Sequence, residues 1–283
     1  MDDFKNLPAD VTRSILNLLD DVSLANTCLI NKNFSKVICN SNFWLHKIMK
    51  KFSLGPSEIK EYSKGNTYWA YYLDLNKNTE TLTLDDQLVT GAIQGRMDLV
   101  KIALERGGVQ NINSALAWAA AKGHIDIFRL LLQKGADPRH NNDDALRAAS
   151  THGHTDILRF LLENGANIHA DNDYSLRYAS YGCHTETVRL LLEHGANAHF
   201  DNDDVLRYAA LSGCIETIKL LLDYGLDIHA GRETALKVAV NRNDIELVKF
   251  LLDNGAVIND PGMLTNAKAT GNIEMIKLLE AFR

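Results

Sequence analysis

Cysteine, proline and aromatic residues are scarce in this sequence, and no stretch is both long and apolar. Its four cysteines (Cys28, Cys39, Cys183 and Cys214) lie far apart among 283 residues and form no CxxC pair. That excludes a disulfide-dense secreted scaffold and reads as reduced thiols in a cytosolic or nuclear protein. No apolar run approaches the roughly 20 residues that span a bilayer. The opening MDDFKNLPAD lacks the apolar centre of a signal peptide. Positive charge is not in excess either, since 30 Lys and Arg against 36 Asp and Glu leave −6. Binding along a nucleic-acid backbone calls for a basic patch or stripe. Neither membrane nor nucleic acid is therefore expected as a partner. At 46% apolar and 23% charged residues, the chain has the balance of one that buries a core.

What is present is repetition. From Ala115 the chain divides every 30 residues into copies such as ALRAASTHGHTDILRFLLENGANIHADNDY, and Gly135, Gly165, Gly195, Gly225 and Gly255 keep that spacing throughout. A fifth copy is one residue shorter, the fragment LTNAKATGNIEMIKLLEAFR ends the chain, and LDDQLVTGAIQGRMDLVKIALERGG is a degenerate copy upstream. Each block decodes as two short helices. The first, Leu146–Thr151 in one copy, carries small residues where backbones approach closely, and Gly153-His154 breaks it. The second, Thr155–Asn164, groups Ile157, Leu158, Leu161 and Leu162 on one face. Gly165 suits the left-handed residue that closes a helix, and an Asn/Asp-rich turn follows. One such pair cannot bury its apolar face alone, whereas stacked pairs can, giving an all-α solenoid.

These residues resemble the ankyrin repeat, whose second helix and closing loop are matched by GHxDIxRxLLxxGAN over about residues 82–283. The family repeat is about 33 residues long and opens on Thr-Pro-Leu-His. Here it opens on Leu-Arg (Leu146-Arg147, Leu176-Arg177, Leu206-Arg207) and the missing residues imply shortened hairpin fingers. The 30-residue copies and GANIHADND loops look like the ankyrin families of giant, mimivirus-like DNA viruses.

Residues 1–52 fall outside the repeat. Leu7-Pro8 precedes Val11, Ile15, Leu16 and Leu19 at helical spacing. A second helix with Ser23 as a possible cap carries Leu24, Leu29 and Ile30, and a third stretch carries Phe34, Val37 and Ile38 before Phe43-Trp44. So small a unit, without disulfides, has too little interior to be robust alone. The segment resembles the F-box, aligning without a gap at Leu7-Pro8, Ile15-Leu16, Leu19, Leu24, Ile30, Phe34, Ile38 and Phe43-Trp44. It departs at Asn31, where Cys is usual, and at Phe34, where Trp is usual. The organisation expected is a three-helix F-box unit at 1–52, a linker or packing segment at 53–81, and an ankyrin-repeat domain at 82–283 of about six to seven repeats with degenerate caps. In the joining segment, Trp69, Tyr72 and Leu73 are expected to pack the box onto the first repeat. An exposed aromatic strip is the alternative.

Candidate chemistry is thin. His124, His154 and His184 recur one repeat apart, as do His169, His199 and His229. Stacked helices hold such positions roughly 10 Å apart, too far to share one ion, so these rings are expected to satisfy backbone groups. Cys28, Cys39 and His46 lack zinc-finger spacing. GxSxG, P-loop and HExxH motifs are absent, and the expectation is a non-enzyme with no metal and no cofactor. The row Arg147, Arg177, Arg207 and Lys237 follows Asp143, Asp173, Asp203 and Glu233 by four residues. Local ion pairs are one reading; an acidic strip of turn tips (Asp143, Asp144, Asp173, Asp203, Asp204) that steers a basic partner is the other.

The ankyrin resemblance implies a target protein held on the concave face, at the turn tips and at two positions before each Gly-His step. These are Ala121-Lys122, Thr151-His152, Tyr181-Gly182, Leu211-Ser212 and Asn241-Arg242, with Tyr181 and Leu211 the strongest anchors. Trp118, Tyr178 and Tyr208 are expected in the core between repeats. The F-box resemblance implies docking of a Skp-type adaptor of a cullin ubiquitin ligase through Leu7, Pro8, Ile15, Leu16, Leu19, Ile30, Phe34 and Trp44. Together they imply a substrate-recognition subunit in the cytoplasm or nucleus, of a host cell if the chain is viral. The alternative is an ankyrin interaction scaffold with no ubiquitin link.

Overall fold

The apolar spacing forms helices wherever the structure is described. The computed structural model describes residues 41–64, 68–200 and 204–282, and the fold is all-helical. The first five helices are α1 Ser41–Phe52, α2 Pro56–Tyr62, α3 Tyr68–Thr81, α4 Leu84–Gln94 and α5 Met97–Arg106. Of the described residues, those up to Gly91 together with Arg96–Val109 form one unit, and Ala92–Gly95 with Gln110 onward form a second.

The first unit is built on Trp44. It is buried with Ile48, Phe52, Ile59, Tyr72 and Leu75, and with Leu99 and Ile102 of α5. Its ring lies 4.9 Å from that of Tyr72, which also meets Phe52 at 5.9 Å. Tyr72 is thus buried beside Trp44 and Phe52, while the side chains of Trp69 and Leu73 lie outside the described residues. The joining segment is largely helical, as α2 and α3, rather than an extended linker. A polar clasp adds direction to this core. The Tyr71 hydroxyl donates to Asp98 (2.8 Å), Arg96 donates to the same carboxylate, and Arg96 also meets Asp74 at 2.6 Å. Burial, then the Asp98 charge, holds the Tyr71 hydroxyl far above its ordinary range, so it remains a donor.

The second unit stacks helix pairs: α6 Ile112–Lys122 with α7 Ile125–Gln133, α8 His140–Thr151 with α9 Thr155–Glu163, α10 Ala170–Tyr181 with α11 Thr185–Glu193, α12 Asp204–Ser212 with α13 Ile215–Asp223, α14 Ala230–Asn241 with α15 Ile245–Asp253, and α16 Pro261–Thr270 with α17 Ile273–Ala281. The second helices bury the face expected of them, such as Ile157, Leu158 and Leu161, although Leu162 is only half-buried. The first helices bury small residues around one leucine, as with Ala145, Leu146, Ala149 and Ser150.

The shortened finger has a specific form. At the start of α8, Asn141, Asn142 and Asp143 are all left-handed, with φ of 51 to 58°. Asp171, Asn172 and Asp173 repeat this in α10, and Gly231, Arg232 and Glu233 in α14. A three-residue left-handed turn does the work of the missing hairpin, which accounts for the Asn/Asp content, since those residues tolerate this region best after glycine. Arg147 and Arg177 close the turn by donating to the carbonyls of Asn141 (3.1 Å) and Asp171 (3.0 Å).

That geometry overturns two expectations. Asp143 and Asp173 are each 5% exposed, so they cannot form an acidic strip for a partner. Their carboxylates instead accept from the backbone N–H of Asn167 (3.1 Å) and Asn197 (2.9 Å) in the following repeat. The arginines pair at closer spacing than expected, Arg147 with Asp144 at 3.3 Å and Arg207 with Asp204 at 2.5 Å. Asp203 lies outside the described residues. The reduced-thiol reading is also corrected for two of the four cysteines, because Cys183 and Cys214 are joined in a disulfide with Cα atoms 5.2 Å apart. Cys28 and Cys39 lie outside the described residues.

Removing the Asp173 carboxylate leaves a part-buried N–H of the next repeat and the ring of His169 (3.0 Å away) without their acceptor. Asp173→Ala is expected to lower unfolding free energy by about 2–3 kcal/mol. Asp171→Asn, at an exposed neighbour where asparagine tolerates the left-handed backbone as aspartate does, is expected to change it by less than about 0.5 kcal/mol. Urea unfolding checks both.

Candidate functional site

The contact that sets the repeats in register lies at the end of each first helix. The residue there is left-handed in every described copy, with φ of 71° at Gly95, 73° at Gly123, 75° at Gly153, 77° at Gly213 and 69° at Gly271. A histidine of the following repeat rests on three of these glycines. A Cβ on Gly123 would stand 2.5 Å from the His154 ring, and one on Gly153 would stand 2.5 Å from His184. From that seat His124, His154 and His184 place Nε2 at 3.3, 3.0 and 3.1 Å from the carbonyls of Ile93, Ala121 and Thr151. The histidine ladder therefore serves backbone groups, as its spacing implies, but those of the preceding repeat. Burial pushes the His154 imidazole below its ordinary pKa, only partly opposed by the Ala121 carbonyl. Among the described residues no three His, Cys, Asp or Glu side chains are placed to share a metal ion.

Stacking in register puts the candidate target-binding positions in one row along the ends of α6, α8, α10, α12 and α14. Lys122, His152, Asn241 and Arg242 are exposed, Thr151, Leu211 and Ser212 are half-buried, and Ala121 is buried. Tyr181 is 49% exposed, a large apolar ring in open contact with solvent. Some of the row is tied down. Arg242 donates to the carbonyl of Leu211, Thr151 to that of Arg147 (2.8 Å), and Asn241 accepts from Asn266 (2.9 Å). His152 is held as well, with Nδ1 3.0 Å from the Ala148 carbonyl, which leaves the Tyr181 ring as the open side chain of the row.

A second row escaped the sequence reading. Trp118 is 44% exposed and not in the core between repeats. Tyr178 and Tyr208, at the equivalent positions, are half-buried. They belong to an alternating aromatic and arginine stack. Arg147 lies over Tyr174 (5.4 Å), Tyr174 stacks on Tyr178 (4.0 Å), Tyr178 meets Tyr208 (5.8 Å), and both Arg177 (5.7 Å) and Arg207 (4.5 Å) lie over Tyr208. Such cation–π contacts hold the guanidinium planes flat. The cue was available, because residues 118, 148, 178, 208 and 238 vary between copies while the residue after each of them is always alanine.

Three copies of the ankyrin-repeat family model match residues 88–172, 146–232 and 176–262. The chain belongs to the ankyrin-repeat family. The crystal structure of the human ASB11 ankyrin repeat domain superposes with a TM-score of 0.56 at 25% identity, over 68% of this chain and 96% of that one. The F-box domain model matches residues 4–46. No curated protein matches the chain. Both families are typically interaction modules without chemistry of their own. Among the described residues no helix is long and apolar enough to cross a membrane.

Of the candidate adaptor-binding residues, Leu7, Pro8, Ile15, Leu16, Leu19, Ile30 and Phe34 lie outside the described residues. Trp44 is described, and it is 1% exposed. That corrects its assignment as an adaptor contact: its ring is taken up by Tyr72 and Ile48 inside the first unit.

The depressed His154 pKa has a direction. The folded value lies below the unfolded one of about 6.5, so folding disfavours the protonated ring. The contribution of His154 is complete above that pH and is lost as pH falls through the folded pKa. The stability gap between wild type and His154→Gln is expected to narrow between about pH 7.5 and pH 5.5, as measured by urea unfolding at each pH.

Proposed function

We propose that this ankyrin-repeat protein is a non-catalytic substrate-recognition adaptor of a Skp-cullin-F-box type ubiquitin ligase. The observation that carries the reading is the pairing of an F-box match at residues 4–46 with ankyrin repeats over residues 88–262 in one chain. An F-box fits docking onto a Skp-type adaptor, and ankyrin repeats fit holding a protein target. A chain that does both raises the concentration of the target beside the ubiquitin-loading enzyme without performing any reaction. In this reading Leu7, Pro8, Ile15, Leu16, Leu19, Ile30 and Phe34 face the adaptor, and Trp44 anchors the box to the helices behind it. Lys122, Thr151, His152, Tyr181, Leu211, Ser212, Asn241 and Arg242 face the target. The acidic contribution falls to Asp144 and Asp204 in place of Asp143 and Asp173. Under the same proposal, the giant-virus style of the repeats makes the target a host-cell protein met in cytoplasm or nucleus.

A second reading is favoured by one observation, the burial of Trp44 against Tyr72 in a cluster that also holds Leu99 and Ile102. An N-terminal segment so joined to the first helix pair could serve as a cap, leaving a binding scaffold with no ubiquitin link.

Co-purification with a eukaryotic Skp adaptor separates the two. Wild type is expected to form a one-to-one complex, and the Leu16→Asp, Leu19→Asp double variant none, because an unpaired charge buried at an interface is strongly unfavourable. A folded wild type that ignores the adaptor leaves only the scaffold. Trp44→Ala reports on the shared core: it is expected to lower the stability of the first unit by about 3–5 kcal/mol, read by thermal unfolding.

A further inference from the structure

The register contact described above is rebuilt at one junction from different chemistry. Where most copies have glycine, the third has Cys183, and where the three copies before it have histidine, the fourth has Cys214. The two substitutions fall on the two residues that touch across adjacent repeats. Their sulfurs are joined across a separation of 31 positions in sequence, closing the helix pair α10–α11 onto α12–α13. Cys183 is exposed, whereas Cys214 is 5% exposed.

We propose that Cys183 and Cys214 are a reversible thiol–disulfide modification site that sets the tightness of this junction, with low-molecular-weight disulfides of the glutathione class as its oxidant. The division of roles follows from exposure. The thiolate of Cys183, open to solvent, attacks glutathione disulfide, forming a mixed disulfide on Cys183 and releasing one glutathione thiolate. Cys214 then loses its proton to solvent and attacks the Cys183 sulfur, closing the protein disulfide and releasing the second glutathione thiolate. Two protein thiols are oxidised and one glutathione disulfide is reduced to two thiols. Reduction runs the same exchange backwards.

The reduced junction is the weak one for two reasons. Cys183 takes φ 58°, where every neighbouring copy but one has glycine and the exception, Asn243, is a residue that tolerates this region. Cys214 in turn reaches the equivalent carbonyl, that of Tyr181, only through its sulfur at 3.9 Å, a weaker contact than the imidazoles of His154 and His184 make at 3.0 and 3.1 Å. With the bond open, this junction has lost the glycine and keeps only a weak form of the contact that His154 and His184 make. In a solenoid, where each repeat is held by its neighbours alone, opening one junction loosens the stack on both sides of it. This inference does not depend on the ubiquitin-ligase reading.

The test uses the full chain, incubated at fixed ratios of reduced to oxidised glutathione, trapped with a thiol-blocking maleimide and digested for mass mapping of the bridged peptide. Amide hydrogen exchange is then compared across Tyr178–Leu221. Oxidised wild type is expected to exchange about tenfold more slowly there than reduced wild type. Cys183→Gly with Cys214→His, which restores the neighbouring junctions' contact, is expected to stay protected in both buffers. Cys183→Ser with Cys214→Ser is expected to behave as permanently reduced. The proposal is overturned if no bridged peptide forms in folded protein, if it persists at every glutathione ratio, or if exchange across the junction is the same in both redox forms.

Discussion

The first junctions of the stack hang on a close approach that a missing side chain permits. At Gly95, Gly123 and Gly153 a left-handed glycine at the end of the first helix leaves its outer face bare, and the ring of the next repeat's histidine fills that space while its Nε2 reaches a carbonyl of the repeat before. Steric permission and hydrogen bond are thus one device. It fixes the spacing between repeats, lines up the first helices so that residues 30 apart become neighbours, and makes a row of variable side chains out of positions scattered along the chain. Beside it run two lesser ladders. The Thr155 hydroxyl meets that of Thr187 at 3.0 Å and Thr185 meets Thr217 at 2.9 Å, while Asp143 and Asp173 hold the following turn. Each is local to one junction, so stability accumulates repeat by repeat, with no single core to dominate it.

Much of this was legible because periodicity records packing. The buried face of the second helices, the closing glycines and the backbone role of the histidines all follow from residue types recurring at 30. What was misread has a common physical origin, since one residue type can serve two ends. Asp143 and Asp173 look like solvated charges, yet Asp is also among the few residues that accept a left-handed backbone, and that backbone turns their carboxylates inward. Trp118 reads as interior because other copies have Ala148 and Val238 at its position, although that position follows the varying row and not the small-residue face. The cysteines were judged by their separation along the chain, where 31 residues is distant, when the repeat makes 31 residues adjacent. Each of these errors came from treating a residue alone when the period had already placed it beside a partner.

The first unit obeys a different logic. Its helices are not repeats of each other, and it is held by one aromatic cluster and one clasp of Tyr71, Arg96, Asp98 and Asp74. Trp44 stands at the C-terminal edge of the F-box match and is consumed by this cluster. An F-box contact residue at an edge has two neighbours to choose from, the partner or its own chain. Here α3 supplies Tyr72, its ring 4.9 Å from that of Trp44, and Leu99 and Ile102 of α5 belong to the same buried cluster, so intramolecular burial wins without any entropy of association to overcome. The F-box match and the first helix pair are for that reason not separable pieces: the residue that ends one is the centre of the other.

That linkage changes what the N-terminal segment asks of a partner. A piece of about 45 residues buries too little surface to hold itself together. The Trp44 cluster supplies support from helices of the same chain that lie beyond the F-box match. Under the proposed function, adaptor binding then has to supply only the remainder. A box braced from behind tolerates a weaker grip in front, with intramolecular packing replacing some of the affinity that an unbraced box would need from its adaptor.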